Sequence, residues 1–430
     1  MVVAKVLIWK HLVGAVLWDS EKNCARFEFD PDFIKKGLDL APLQMPLDEA
    51  LMGKRIFSFP ELSKVTYKGL PGLLADSLPD KFGNKLIDAW LSRQGRNPSS
   101  VTAVERLCYI GKRGMGALEF EPTNYLSDIQ SHPLEIEELV KLARELLNEK
   151  QKLKSNIHKK NSDALMEIIS VGTSAGGARA KAIIAYNEKS GEVRSGQIAA
   201  ASDFSYWIIK FDGVTNDQLG DPKGYGKIEY AYHKMAIDAG ITMTDCRLLK
   251  EKDRAHFMTK RFDRIGNKKL HLQTLCAIAH FDYNDPEAYS YEQAFQVMRQ
   301  LRLPYADAEQ LFLRMAFNVV ARNQDDHTKN ISFLMDDTGI WRLSPAYDVT
   351  YAHSPENKWM RKHQLSINGK SENIQREDLL KVAKEMNIKK ADELIEQVIA
   401  GVRHWKKYAK EVEIPLSQLK AIEQAHNFLK

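Results

Sequence analysis

The stretch Asn323-Gln-Asp-Asp-His-Thr-Lys-Asn330 decides the reading of this 430-residue chain. It follows a segment in which Leu311, Phe312, Met315, Ala316, Val319 and Val320 recur at helical spacing, so a helix with one apolar face delivers a dense set of polar ligands to one place. Directly after Asn330 the pattern predicts a β-hairpin: Ile331-Ser-Phe-Leu-Met335 runs out, Asp336-Asp-Thr-Gly339 turns, and Ile340-Trp-Arg-Leu343 returns. Just beyond lies Pro345-Ala-Tyr-Asp348. An antiparallel hairpin brings its two ends together, so Asn330 and Asp348 are expected to converge on one point. Two oxygen ligands converging in this way suit magnesium, which keeps several waters and takes few protein ligands.

Asp325 and Asn330 stand five apart, the spacing of the catalytic-loop Asp and the metal-binding Asn of protein kinases. Any one of these residues alone fits a solvated loop better, with Asp325 capping a helix end; taken together they favour phosphoryl transfer. That chemistry needs a cation at the phosphates. Lys210 closes the apolar strand expected over Tyr206–Phe211, where an unpaired ammonium is costly to bury, so a carboxylate is expected beside it. Glu229, 19 residues on at the start of a helix expected over about 229–239, is the candidate partner; an exposed strand-end lysine is the alternative.

The segment Gly172-Thr-Ser-Ala-Gly-Gly-Ala-Arg-Ala-Lys181 is the candidate phosphate loop, because consecutive small residues let backbone N–H groups approach an anion. It is not a Walker motif: Ala178 and Arg179 stand where the invariant lysine and hydroxyl residue belong. A glycine-rich turn without function also fits this segment alone.

Working outward, the first 120 residues read as short strands and turns, with strands at Val6–Ile8, Val13–Trp18 and Arg26–Phe29 separated by Gly14 and by the Glu21–Asn23 turn. A helix is expected over Lys81–Ser92, and Pro133 is expected to open another, with Ile136, Leu139, Val140, Ala143, Leu146 and Leu147 in register. The cluster Lys150, Lys152, Lys154, Lys159 and Lys160 reads as a solvated linker. Strands follow at Leu165–Val171 and Ala182–Tyr186; after Arg264 helices dominate, and the last 60 residues read as two packed helices carrying Leu379, Val382, Leu394, Val398 and Val402.

A composition of 44% apolar and 28% charged residues excludes disordered and fibrous classes, and the length allows more than one core. No apolar run approaches the roughly 20 residues of a membrane span, so the chain is expected to stay in the cytoplasm with no membrane partner. Four scattered cysteines, Cys24, Cys108, Cys246 and Cys276, fit reduced packing residues better than zinc ligands or disulfides. The net charge of +5 is too mild to demand a polyanionic partner.

Ser174-Ala-Gly-Gly-Ala-Arg-Ala-Lys181, Ile208-Ile-Lys210, Arg261-Phe-Asp-Arg264, Asp325-Asp-His-Thr-Lys-Asn330 and Pro345-Ala-Tyr-Asp348 together resemble, in order and approximate spacing, the HipA-type serine/threonine kinases, toxins of HipA–HipB toxin–antitoxin modules. The Asp76-Ser-Leu-Pro-Asp80 and Gly114-Met-Gly-Ala-Leu118 signatures extend the resemblance to the N-terminal third. It implies an α+β, protein-kinase-like two-lobed fold, with a β-rich N-terminal subdomain over 1–120, a helix, linker and N-lobe over 121–264, and a mostly helical C-lobe over 265–430.

The resemblance implies ATP and Mg²⁺ as cofactors, Asp325 as catalytic base, and Asn330 and Asp348 as metal ligands. It places Gly176, Gly177, Ala178, Arg179, Ala180, Lys181, Lys210, Glu229, His327, Lys329 and Tyr347 around the nucleotide, and the backbone of Lys260, Arg261 and Phe262 at the adenine. Ser174 matches the family's autophosphorylated serine. The implied partners are a HipB-like helix-turn-helix antitoxin, operator DNA through that complex, and an aminoacyl-tRNA synthetase as substrate. Asp326, where the family often has glycine, puts a second carboxylate beside the base and leaves the metal stoichiometry open. Two alternatives remain: a small-molecule kinase of the aminoglycoside phosphotransferase type, which lacks the N-terminal module, and a catalytically inactive module that strengthens an antitoxin's grip on DNA, which has no need of intact catalytic residues.

Overall fold

The computed structural model describes residues 2–79, 81–123, 133–148, 180–214 and 224–429. The expected strand 165–171, the lysine cluster, Asp80, Ser174, Gly176, Gly177, Ala178 and Arg179 lie outside the described residues.

Strands β1 (Val3–Ile8), β2 (His11–Asp19), β3 (Cys24–Phe29), β4 (Ile56–Phe57) and β5 (Leu118–Glu121) form an antiparallel sheet in the order β4-β3-β2-β1-β5. Alternation decides its inner face: Ala4, Val6 and Ile8 are buried while Val3 and Lys5 are exposed. Gly14 does not separate strands, as the sequence suggested; it lies within β2, where a Cβ would stand 2.1 Å from the Glu28 carbonyl oxygen, so the strand needs glycine for close approach. The chain instead reverses at Trp9 and Lys10, both left-handed.

The second sheet runs β7-β6-β8-β10-β9, built from β6 (Lys181–Tyr186), β7 (Val193–Ser195), β8 (Ser205–Lys210), β9 (Cys246–Glu251) and β10 (Arg254–Lys260). One face, with Ala182, Ile184, Trp207, Ile209 and Met258, packs on Phe82, Leu86 and Ala89 of the helix Lys81–Arg93 and on Leu139, Val140 and Ala143 of the helix Ile136–Asn148. The latter helix starts three residues after Pro133, whose segment docks on β7 through Leu134 N–H to the Val193 carbonyl, 2.8 Å. The segment 1–120 is therefore shared in packing: its sheet joins one core and its helix Lys81–Arg93 another.

A larger core runs without interruption from the first sheet through the helix Tyr225–Asp238 into the helical lobe. That helix begins four residues earlier than the sequence suggested, after Gly224 at φ 88°, so Glu229 lies inside it. The expected hairpin forms between Ser332–Met335 and Trp341–Leu343, pairing Phe333 with Leu343, and gains His271–Thr274 as a third strand. The C-terminal 60 residues fold into four helices, Arg376–Met386, Ala391–Arg403, Trp405–Glu411 and Leu416–Ala425, where two were expected. Left-handed Asn387 and Lys390 and the start at Pro415 make breaks that apolar spacing alone does not announce. All four cysteines are buried free thiols. Among the described residues no helix is long and apolar enough to cross a membrane.

Candidate active site

The helix Tyr305–Val320 ends at Ala321, and left-handed Arg322 turns the chain into the Asn323–Asn330 loop. Both loop ends are tied. Asn323 donates from its backbone N–H to the Asn318 carbonyl (3.0 Å) and from Nδ2 to Asn318 Oδ1 (2.9 Å); Gln324 N–H donates to the Ala352 carbonyl (2.9 Å). At the far end Asn330 Nδ2 donates to the Asp325 carbonyl oxygen (2.7 Å), which curls the loop around a half-buried Asp325.

Asp326, the second carboxylate of the loop, is held by other parts of the chain. It is buried, with Oδ2 accepting from Tyr291 Oη (3.0 Å) and lying 2.8 Å from His363 Nδ1, while Oδ1 accepts from Gln364 N–H (2.8 Å). Its oxygens brace the loop against the segment after the hairpin and belong to the protein interior.

Opposite the loop, β6 and β8 align Lys181 directly across from Lys210. With Ala182, Ile184, Trp207 and Ile209 packed on the helical side, alternation turns both lysines to the other face of the sheet, toward the helical lobe. Lys210 Nζ pairs with Glu229 Oε1 and with Asp348 Oδ1, the latter at 2.5 Å, and lies 5.6 Å from the Phe257 ring centre. Burial opposes the Lys210 charge, but Asp348 and Glu229 outweigh it and hold the ammonium above its ordinary value. Burial likewise pushes Asp348 up, and Lys210 with Lys181 overcomes it, holding the carboxyl well below the usual range. Asp348 itself is left-handed, φ 53°.

Hairpin closure brings Asn330 and Asp348 to the wall of one cavity. Tyr347 fastens the closure: its hydroxyl donates to the Lys329 carbonyl (2.5 Å) and meets Ser332 Oγ. The Phe262 and Tyr347 rings lie 5.5 Å apart, Lys329 Nζ lies 4.7 Å from the Tyr283 ring centre, and His327 packs on the same ring at 5.5 Å. Ala180 is buried at the entry to β6.

The Lys260–Phe262 backbone is less open than the sequence suggested. Lys260 N–H donates to the Asp245 carbonyl (2.9 Å), its carbonyl accepts from Thr244 Oγ1 (2.8 Å), and Arg261 N–H donates to the Tyr206 carbonyl (2.8 Å). Among the described residues the Arg261 carbonyl and the Phe262 backbone groups carry no hydrogen bond. The Arg261 side chain turns inward: Nε and Nη2 meet Asp263 at 2.8 and 2.7 Å, Arg264 Nη1 adds 2.8 Å, and Gly116 N–H donates at 2.7 Å. The two arginines hold Asp263 well below the usual carboxylate range against burial. Two signatures far apart in sequence thus meet in one ion cluster.

Sequence reasoning missed Lys181 as the cross-strand partner of Lys210, the bracing by Asp326, and Arg314. The signal for Arg314 was a charged residue among Leu313, Met315 and Ala316 on an apolar helix; for Asp326 there was none, since its partners lie 35 to 38 residues away.

A sheet lobe carrying paired lysines over a helical lobe carrying an Asp/Asn loop and a returning hairpin defines a two-lobed, protein-kinase-like α+β fold. The chain belongs to the HipA family of toxins: the HipA-like C-terminal domain model matches residues 173–406 and the HipA N-terminal domain model residues 4–121. The serine/threonine-protein kinase toxin HipA of Shewanella oneidensis is 22% identical over 377 residues, covering 79% of this chain and 72% of that protein. The structure of the HipA, HipB and operator DNA complex of Shewanella oneidensis MR-1 contains a chain of the same fold, with a TM-score of 0.68 at 18% identity, covering 98% of this chain and 95% of that one.

Proposed function

We propose that this protein is an ATP- and Mg²⁺-dependent serine/threonine protein kinase acting as the toxin of a toxin–antitoxin module. The observation that carries the reading is the convergence of Lys210, Glu229, Asp348 and Asn330 between two lobes beside the Asp325 loop. Lys210, held by Glu229, and Lys181 supply positive charge where nucleotide phosphates would lie. Asp325 takes the proton of a serine hydroxyl as its Oγ bonds to the γ-phosphorus and the bond from that phosphorus to the bridging oxygen breaks, releasing ADP. The Arg261 carbonyl and Phe262 backbone groups face the adenine, with the Phe262 and Tyr347 rings beside it. His327 and Lys329 border the phosphates.

The donor set fits a hard divalent cation: Asn330 Oδ1 and Asp348 Oδ2 carry no hydrogen bond among the described residues and would hold Mg²⁺. A magnesium ion held by these two oxygens would supply positive charge that offsets the charge of the phosphates. Asp326, sealed in its own network, adds no ligand.

Three further parts of the reading rest on family membership: autophosphorylation at Ser174 within the Gly172–Lys181 phosphate loop, a HipB-like antitoxin with operator DNA as partners, and an aminoacyl-tRNA synthetase as substrate. Intact mass of the purified protein before and after incubation with Mg²⁺ and ATP, beside Asp325→Ala and Ser174→Ala, tests the core. A gain of one phosphate in the wild type that both variants lack is expected. Wild-type phosphotransfer by Asp325→Ala would remove the assigned base.

A further inference from the structure

The helix Tyr305–Val320 buries an arginine that the catalytic reading does not use. Arg314 is 7% exposed and has no ion-pair partner among the described residues. Its Nη2 donates to the Ser344 carbonyl (2.5 Å), whereas Nε and Nη1 are buried without a hydrogen-bond partner among the described residues. A buried guanidinium with unspent donors is costly, and burial pushes this one down to about 10, still charged at neutral pH. Something must repay that cost.

Two features show what does. First, the helix grips three consecutive residues, Arg342 to Ser344, where the returning strand gives way to the segment that leads to Asp348. Asp307 takes Arg342 in two bonds of 3.0 Å and the Leu343 N–H at 2.9 Å; two turns on, Arg314 takes the Ser344 carbonyl. Asp348, four residues later, is left-handed, a conformation that for a non-glycine residue is kept when its surroundings over-determine it. Second, Arg314 lines a cavity of about 30 Å³ together with Asn318, Asn323, Asp326, Asn330 and Asp348. On that measure a water needs roughly 10–15 Å³ and two to four polar partners. The unpartnered donors Arg314 Nε and Nη1 and the unpartnered acceptor Asn323 Oδ1 belong to residues of that wall, and the cavity has room for about two ordered waters.

We infer that Arg314 is a positioning residue, which fixes the Pro345–Asp348 segment through the Ser344 carbonyl and through buried water behind Asn330 and Asp348, and thereby sets the metal-binding geometry. The metal part of this inference rests on the kinase reading; the positioning part does not. In the full-length protein without ligand, Arg314→Met is expected to speed hydrogen exchange of the Ala346–Val349 amides by about 10-fold, and to raise by about 10-fold the Mg²⁺ concentration at which ATP half-maximally stabilises the protein against heat. Arg314→Lys keeps a cation within reach of the Ser344 carbonyl and is expected to recover most of both effects; it also serves if the Met variant does not fold. A lower melting temperature with unchanged Ala346–Val349 exchange and unchanged Mg²⁺ requirement would overturn the inference. Faster exchange in a protein whose wild type shows no Mg²⁺-dependent ATP binding would leave Arg314 as a positioning residue and remove the kinase reading instead.

Discussion

Two ion clusters in this molecule use the same chemistry to opposite ends. Around Asp263, two arginines and the Gly116 amide satisfy a single carboxylate, and the Arg261 and Asp263 side chains are both 0% exposed. Around Lys210, two carboxylates share one ammonium, Lys181 stands across the strand, and the Asp348 side chain remains 33% exposed. The first cluster spends every acceptor on the chain and joins the N-terminal subdomain to the sheet lobe. The second keeps Asp348 Oδ2 unbonded within the described residues. A closed cluster holds structure; an open one retains capacity to bind.

The sharpest way to break this contrast is Asp263→Asn, which strands two buried arginines and is expected to cost about 3–5 kcal/mol, read as a lower urea midpoint. Asp348→Asn should do the reverse: phosphotransfer falls on the order of 10²–10³-fold while the urea midpoint barely moves, because Glu229 keeps Lys210 paired. If Asp348→Asn unfolds the protein, the open cluster is structural after all. Asp326→Asn, one residue from the proposed base, belongs with the closed kind and should lose about 1–3 kcal/mol of stability, with less than a tenfold change in phosphotransfer. Mild acid should have the smallest effect. Asp263 titrates in the folded state below its ordinary 3.8, so the stability it contributes is fully present above that value and is lost as pH falls further. The urea-midpoint gap between wild type and Asp263→Asn should therefore stay constant from pH 7 to 5 and close only below about pH 4.

The open cluster was largely legible in the sequence, and the closed one was not. Hairpin geometry tied Asn330 to Asp348, and the cost of burying Lys210 called for a carboxylate such as Glu229. These inferences need only local pattern and one rule of burial. Asp263 has its two arginines beside it in sequence, but the Gly116 amide that completes its cluster comes from 147 residues away, as His363 comes to Asp326 from 37, and no spacing encodes that. The same limit explains Gly14, read as a turn when its role is to admit the Glu28 carbonyl, and the four C-terminal helices, whose breaks use left-handed Asn387 and Lys390 in place of glycine.

The uninterrupted core has a consequence for synthesis. The first sheet is finished at Glu121, yet the residues its subdomain rests on come much later: Gly72 sits where a Cβ would stand 2.1 Å from the Ala277 carbonyl, Tyr67 Oη donates to the Cys276 carbonyl (3.1 Å), and Asp76 takes the Thr274 N–H (2.6 Å). About 150 residues separate the two, which at roughly 5–20 residues per second is on the order of 10–30 s during which the apolar helix Gly72–Ala75 lacks the partner it packs on. For that interval the ribosome holds a fragment that is sticky and incomplete, and the helix Leu275–Ala279 is the piece whose emergence lets it close.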